Sequence, residues 1–188
     1  MTNPQVQRTH ELMLNAAGSL LSAGGPEAVT HLRVAEESGV ARATVYRHWS
    51  TRADILLDLL RRGANLSLDP PSGDLALEER VTGVLEAFAA ALRSEGGRTL
   101  SAMIGLAEWD EEVFNALERM TEFGPRILRR LLAAGVDDGE LVQGTDVDML
   151  ADRLIGPLYL RRLLYHDDLT DGYVGRLASV TLAPHLVS

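Results

Sequence analysis

The side chains best equipped for chemistry sit close together: Arg42, Thr44, Tyr46, Arg47 and His48, with Thr30 ahead of them and Arg52 just behind. Guanidinium, hydroxyl, phenol and imidazole groups can donate hydrogen bonds to phosphate oxygens and base edges. Between residues 42 and 62 five Arg stand against only Asp54 and Asp58, a local charge of +3. Such a patch suits nucleic acid. Other chemistries are poorly served. The five histidines, His10, His31, His48, His166 and His185, never fall four residues apart, and there is no cysteine, so neither a zinc site nor a thiolate nucleophile is expected. Glu108, Asp110, Glu111 and Glu112 cluster without a histidine in helical reach, which reads as a charged helix start rather than an acid–base pair. The expectation is a protein that is not an enzyme and needs no metal or cofactor.

Presenting those donors to DNA takes two short helices held at a fixed angle. Thr30 can cap the first, to Ser38; Gly39 supplies the turn; the second covers about 42–49. Ala35 is the small residue where the helices cross, and Val34, Val40 and Val45 lock them together. Trp49 reads as a core anchor joining this helix to the next, which Ser50 caps and which runs over about 51–66.

Charge elsewhere confines any DNA surface to this region. Residues 1–62 carry seven Arg against six acids, and residues 63–188 carry eleven against twenty-one, so +1 and −10 make up the total of −9. The acidic part would repel DNA. There is no lysine, so every fixed positive side chain is a guanidinium. No run approaches the eighteen or so apolar residues of a spanning helix, and the first residues lack the pattern of a signal peptide. A cytoplasmic protein without membrane contact is expected.

The remaining segments also read helical, giving an all-α chain of about nine helices. The first covers 9–23 and stops at Gly24-Gly25-Pro26. After a loop at 69–73 come helices over 75–93 and 98–109, separated by Ser94-Glu95-Gly96-Gly97, then one over 111–134 kinked at Gly124-Pro125. A polar turn region over 135–145 leads to helices over 146–165 and 170–182.

With these motifs in place, the segment from Thr30 through Val34-Ala35, Gly39-Val40, Thr44-Val45-Tyr46 and His48-Trp49 to Arg52-Ala53-Asp54-Ile55-Leu56 resembles the DNA-binding domain of the tetracycline-repressor (TetR/AcrR) family. Residues 135–164 are similar to a common carboxy-terminal domain of the same family, through Gly139-Glu140-Leu141 and Gly156-Pro157-Leu158-Tyr159. Three positions depart from the family pattern: Ala41 stands where Ser usually caps the recognition helix, Ala43 where Gly is common, and Arg52 where Lys is usual.

The resemblance implies a helix-turn-helix DNA-binding domain over 1–52 and a ligand-sensing and dimerisation domain over 53–188. It implies a transcriptional regulator, a repressor released from a palindromic operator by a small effector, with double-stranded DNA and a second copy of the chain as partners. Thr30, Tyr46 and Arg52 become phosphate contacts, and Arg42, Thr44 and Arg47 candidates for base edges. His48 fits either a phosphate contact or a stacking role. A largely apolar effector would be lined by Phe88, Met103, Leu106, Trp109, Met120 and Phe123, which are also ordinary core residue types. Leu154, Leu158, Tyr159, Tyr173, Val174 and Leu177 come from two helices too apolar for one buried stripe, and are the expected dimer interface. Alternatives are an activator, a regulator without effector, or an all-α interaction module or enzyme. The operator sequence, the effector and the regulated genes are not legible.

Overall fold

Among the described residues, apolar side chains recurring every three or four positions shape ten α-helices. The computed structural model describes residues 4–64, 75–121 and 123–187, and the side chains among them except those of 64, 120 and 121 and 123–125. Among the described residues there is no strand, only an isolated antiparallel bridge between Leu141 and Leu186. None of the described helices is long and apolar enough to cross a membrane.

The chain divides into two units. The first takes residues 1–64 and 95–119; the second takes 65–94 and 120–188. In the first unit, α1 (Pro4–Gly24) buries Met13, Leu14, Ala16, Ala17, Leu20 and Leu21 on one face. A 3-10 turn (Pro26–Ala28) leads to α2 (His31–Ser38), α3 (Arg42–His48) and α4 (Arg52–Ala64). The cap of α4 is Thr51 rather than the expected Ser50: Thr51 Oγ1 accepts from Asp54 N (3.1 Å) while Asp54 Oδ2 accepts from Thr51 N (3.0 Å).

Helix α6 (Glu95–Ala107) packs along α4, and its start differs from the reading of Gly96-Gly97 as a break. Both glycines are buried in its first turn. A Cβ on Gly63 would lie 2.2 Å from Gly96 N, so the two backbones touch where neither residue has a side chain. That close approach outweighs the low helix propensity of glycine. Asp110 then accepts from Glu112 N and Val113 N at 3.1 and 3.2 Å and starts α7 (Glu111–Thr121).

In the second unit, α5 (Leu77–Arg93) packs against α8 (Phe123–Asp137) and α10 (Asp171–Leu182), and α8 against α9 (Val147–Tyr159). The single kinked helix expected over 111–134 is therefore two elements, α7 and α8, and α8 runs on through Gly135, which lies against Leu77. Asp146 caps α9, accepting from Met149 N at 3.0 Å, and Thr170 caps α10. Pro157 sits inside α9, and the backbone continues beyond Tyr159 as a π-helical turn, Leu160–Leu164. Arg80 pairs with Glu140, and Arg93 donates to the Leu169 carbonyl.

Candidate nucleic-acid interface

Local chemistry positions the two short helices. Thr30 Oγ1 accepts from Arg33 N at 3.3 Å and caps α2. At the other end Gly39 takes φ +68°, the left-handed conformation that reverses the chain at little cost only in glycine. Ser38 reinforces the turn: its Oγ donates to the Val34 carbonyl (2.6 Å) and accepts from Val40 N (3.3 Å). Val34 and Val45 are fully buried where α2 meets α3, with Ala35 beside them. No side chain caps α3, as Ala41 implies.

With Val45 turned inward, α3 shows Arg42, Ala43, Tyr46 and Arg47 to solvent and keeps Thr44 and His48 half-buried. One short helix thus carries two exposed guanidinium groups and a phenol on its outer side. Arg42 lies over the Tyr46 ring, 5.4 Å from its centroid, and donates to its hydroxyl at 3.3 Å. Trp49 closes the helix from beneath. It is 2% exposed, and its indole N–H donates to Asp58 Oδ2 on α4 at 2.9 Å.

Asp58 also holds His10 of α1 (3.0 Å) and faces Arg61 (3.6 Å), so one carboxylate ties α1, α4 and the end of the recognition helix. His10 lies 5.6 Å from His48, ring to ring. Burial, then the positive potentials of His10 and Arg47, push the His48 pKa down against the opposing pull of Asp58.

Arg52 is less free than a simple phosphate contact would be. It donates to the Pro26 carbonyl at 2.8 Å and pairs with Glu27 at 3.4 Å, tying the start of α4 to the 3-10 turn before α2. Its side chain is about a quarter exposed (24%), so a phosphate would share the guanidinium with those partners. Thr30 caps α2, and Arg42, Thr44, Tyr46, Arg47 and His48 all lie on α3.

His31, His10 and Asp58 escaped the sequence reading. His31 is the first residue of α2; its ring stacks on Tyr46 at 4.2 Å with an interplanar angle of 2°. Its Nε2 lies 2.9 Å from the Trp49 carbonyl oxygen. An aromatic polar residue directly after a helix cap, and an acid flanked on both sides by leucine pairs in α4, were the available signals.

The residues expected elsewhere divide by burial. Phe88, of the second unit, and Met103, of the first, are buried, and Leu106, also of the first, is half-buried. Trp109 is not enclosed: it is 91% exposed, because α6 ends at Ala107 and leaves it in the short connection to α7. The side chains of Met120 and Phe123 lie outside the described residues. Leu154, Leu158 and Val174 are 0% exposed inside the second unit, so they are core residues and cannot themselves meet a second copy. Tyr159, Tyr173 and Leu177 are half-buried, and burial pushes the Tyr159 pKa up. Among the described residues no group of His, Cys, Asp or Glu could hold a metal ion.

Comparison with known proteins falls on the same residues. Residues 13–59 match the family described as "Bacterial regulatory proteins, tetR family", and residues 69–181 match "Tetracyclin repressor-like, C-terminal domain". A curated HTH-type transcriptional regulator of Bacillus subtilis (strain 168), YdeS, whose own role is uncharacterised, is 32% identical over 173 residues, covering 91% of this chain and 86% of that protein. The crystal structure of the TetR family transcription regulator SCO0332 superposes with a TM-score of 0.71 at 27% identity, over 94% of this chain and 97% of that one. A TetR family regulator from Pseudomonas syringae pv. tomato str. DC3000 has the same fold, with a TM-score of 0.73 at 18% identity over the whole of both chains (100% each).

Proposed function

The chain belongs to the TetR family of bacterial transcriptional regulators, and from that premise we propose that it is a homodimeric repressor that leaves its operator when it binds a small, largely apolar effector. It is a DNA-binding transcriptional regulator. The observation that carries the reading is α3, a helix anchored by Val45 and Trp49 whose outer side offers Arg42, Tyr46 and Arg47. In an otherwise acidic chain these groups must work by placement rather than by net charge. Arg42, Thr44 and Arg47 read base edges, while Thr30, Tyr46, Arg52 and the first-turn amides of α2 meet phosphates. His48 joins them as a phosphate contact. Catalysis, a metal and a cofactor have no part in this function, and the protein works in the cytoplasm, where bacterial DNA lies.

Dimerisation is supported by the solvent side of α9 and α10. Met149, Gly156 and Leu160 lie on one stripe of the first helix and its extension; Tyr173, Leu177 and Val180 lie on one stripe of the second. Met149, Leu160 and Val180 are 57%, 44% and 68% exposed, unusual for such side chains on adjacent helices. A Cβ on Gly156 or Gly175 would meet nothing within 4 Å outside its own turn of helix among the described residues, which leaves room for a second backbone. A twofold pair would set two recognition helices about 34 Å apart, one turn of DNA, on a palindrome.

Effector control then acts on α4, which directly follows the recognition helix and lies against α6 at Gly63 and Gly96. A shift of α6 would be passed to α4 at that contact and change the separation of the recognition helices. A coupling of about 1–3 kcal/mol suffices. Identical separations in DNA-bound and effector-bound crystals would refute this route.

The decisive experiment is retention of fragmented genomic DNA at low salt, followed by footprinting of the retained site and transcription of the adjoining gene with and without the protein. A palindromic footprint and raised transcription on deletion are expected. No selective retention would sink the regulator reading, and lowered transcription on deletion would make the protein an activator.

A further inference from the structure

We propose that His31 is a positioning residue of the reading surface, setting the Tyr46 ring and through it the Arg42 guanidinium, so that it governs discrimination among DNA sequences rather than affinity for DNA in general. The inference rests on the reading of Arg42 as a contact to base edges.

The geometry is a relay of three side chains braced at one end. Trp49 provides the brace: it is buried at 2% exposure and its indole is held by Asp58 at 2.9 Å, so its carbonyl is a fixed point. That carbonyl can only accept, which makes His31 Nε2 the donor across 2.9 Å and orients the imidazole. The ring face then lies parallel to Tyr46, 4.2 Å away at 2°. Tyr46 in turn receives a hydrogen bond from Arg42 at 3.3 Å and carries that guanidinium 5.4 Å above its ring. Bond, stack and second bond run from a buried backbone atom to an exposed cation.

Neither Tyr46 nor Arg42 has another brace among the described residues. Tyr46 is 44% exposed and Arg42 is exposed, so without His31 both would sample several rotamers. Bidentate contact with a base edge needs the guanidinium plane in one orientation, whereas attraction to phosphates needs only its charge. Loss of His31 therefore removes orientation and leaves charge untouched at Arg42. The imidazole is also separable from the packing of the two helices, which rests on Val34 and Val45, both 0% exposed.

The test titrates the operator recovered from genomic selection and a scrambled duplex of the same length against wild type, His31→Ala, His31→Phe and His31→Gln between 50 and 200 mM salt. His31→Ala should cut the ratio of operator to scrambled affinity about tenfold, with the salt dependence on the scrambled duplex unchanged. Phe keeps the stack and should restore most of the ratio; Gln can keep the bond to the carbonyl but not the stack and should restore less. Arg42→Ala should cost less selectivity in the His31→Ala background than in wild type, since its effect is already partly lost. An unchanged ratio, additive effects of His31 and Arg42, or equal loss on both duplexes with a shallower salt dependence would each overturn the proposal, the last by making His31 a direct phosphate contact. Thermal unfolding of each variant guards against misfolding. If His31→Ala does not fold, the order of Phe above Gln decides, and the reverse order refutes the relay. Wild type that retains no sequence selectively would overturn the DNA-binding reading itself, and this inference with it.

Discussion

Between Thr30 and Asp58 polar side chains are spent on fixing backbone: Thr30 on the start of α2, Ser38 on its turn, Thr51 and Asp54 on the start of α4, Asp58 on Trp49 and His10. The outer stripes of α9 and α10 show the opposite habit, leaving Met149, Leu160 and Val180 to solvent with glycines between them. A surface that must match base edges needs its geometry settled before the partner arrives, because each unplaced donor would have to be ordered on binding. A surface that meets a copy of itself gains from apolar area and close backbone approach instead. The difference is therefore one of partner, and it predicts opposite responses to the same kind of substitution.

The sharpest contrast uses glycine. Gly63→Ala would push a methyl to 2.2 Å from the Gly96 backbone. Backbone cannot yield as a flexible side chain does, so the first unit should lose about 3 kcal/mol, at the upper end of overpacking costs. Outside its own turn of helix, Gly156→Ala meets nothing within 4 Å among the described residues; the helix propensity gained over glycine is offset by crowding against the following Pro157, so the isolated fold should change by no more than about 1 kcal/mol. Yet it should weaken self-association. Urea unfolding read beside sedimentation equilibrium separates the two. Equal folding losses at both positions would erase the distinction between internal and partner-facing glycines.

The next largest effect concerns the apolar stripes alone. Val180→Glu places a charge on a residue already 68% exposed, so the fold of one chain has no reason to suffer. If α9 and α10 meet a second copy, the charge is buried there, and dimer dissociation should strengthen by about 2 kcal/mol or more. Light scattering across a dilution series reads this directly. An unchanged dimer would move the interface off these stripes.

The two regions also differ in how far they could be read from the chain. Thr30, Gly39, Val34, Val45 and Trp49 act within about twenty residues of one another, and local spacing was enough to name their roles. The paired stripes of α9 and α10 were legible as excess apolar surface, but periodicity does not say which stripe faces home. Leu154, Leu158 and Val174 accordingly turned inward, while Met149 and Val180 stayed out. Gly96-Gly97 looked like a stop because the reason for those glycines is Gly63, more than thirty residues away. Trp109 fell outside its helix because Asp110 caps the next one. His31 gave almost no signal: its partners Tyr46 and Trp49 lie fifteen and eighteen residues on, across a turn whose angle had to be known first.

Pre-settled geometry in the recognition unit is still incomplete at one point, and repairing it should have a smaller effect. Ala41 offers no side-chain acceptor to the first turn of α3, so the amides there lack a cap. Ala41→Ser should add about 1 kcal/mol to stability, measurable as a raised denaturation midpoint. If the recognition helix is otherwise rigid, operator selectivity should stay the same. A gain in selectivity would mean that the start of α3 frays in the free protein, although His31 and Trp49 hold its far end.

The smallest expected effect tests whether a basic group in this unit has been fitted to the fold or kept ready for a partner. His48 has its pKa lowered by burial and by the positive potentials of His10 and Arg47. A histidine depressed in the folded state takes up its proton later than the unfolded chain does as pH falls. Unfolding therefore binds protons below the ordinary imidazole range, and stability should decline as pH drops through about 6.5, with no effect of this group at higher pH. His48→Gln should flatten that decline without altering stability at pH 8, as read from melting temperatures at both ends of the range. DNA reverses the sign. A phosphate beside His48 favours the protonated ring, so operator binding by wild type should strengthen on acidification to pH 6 relative to His48→Gln. Acid would then weaken the fold and tighten the complex through one imidazole. A fold that declines with pH while the complex gains nothing over the Gln variant would leave His48 as a packing residue, and would remove it from the surface prepared for DNA.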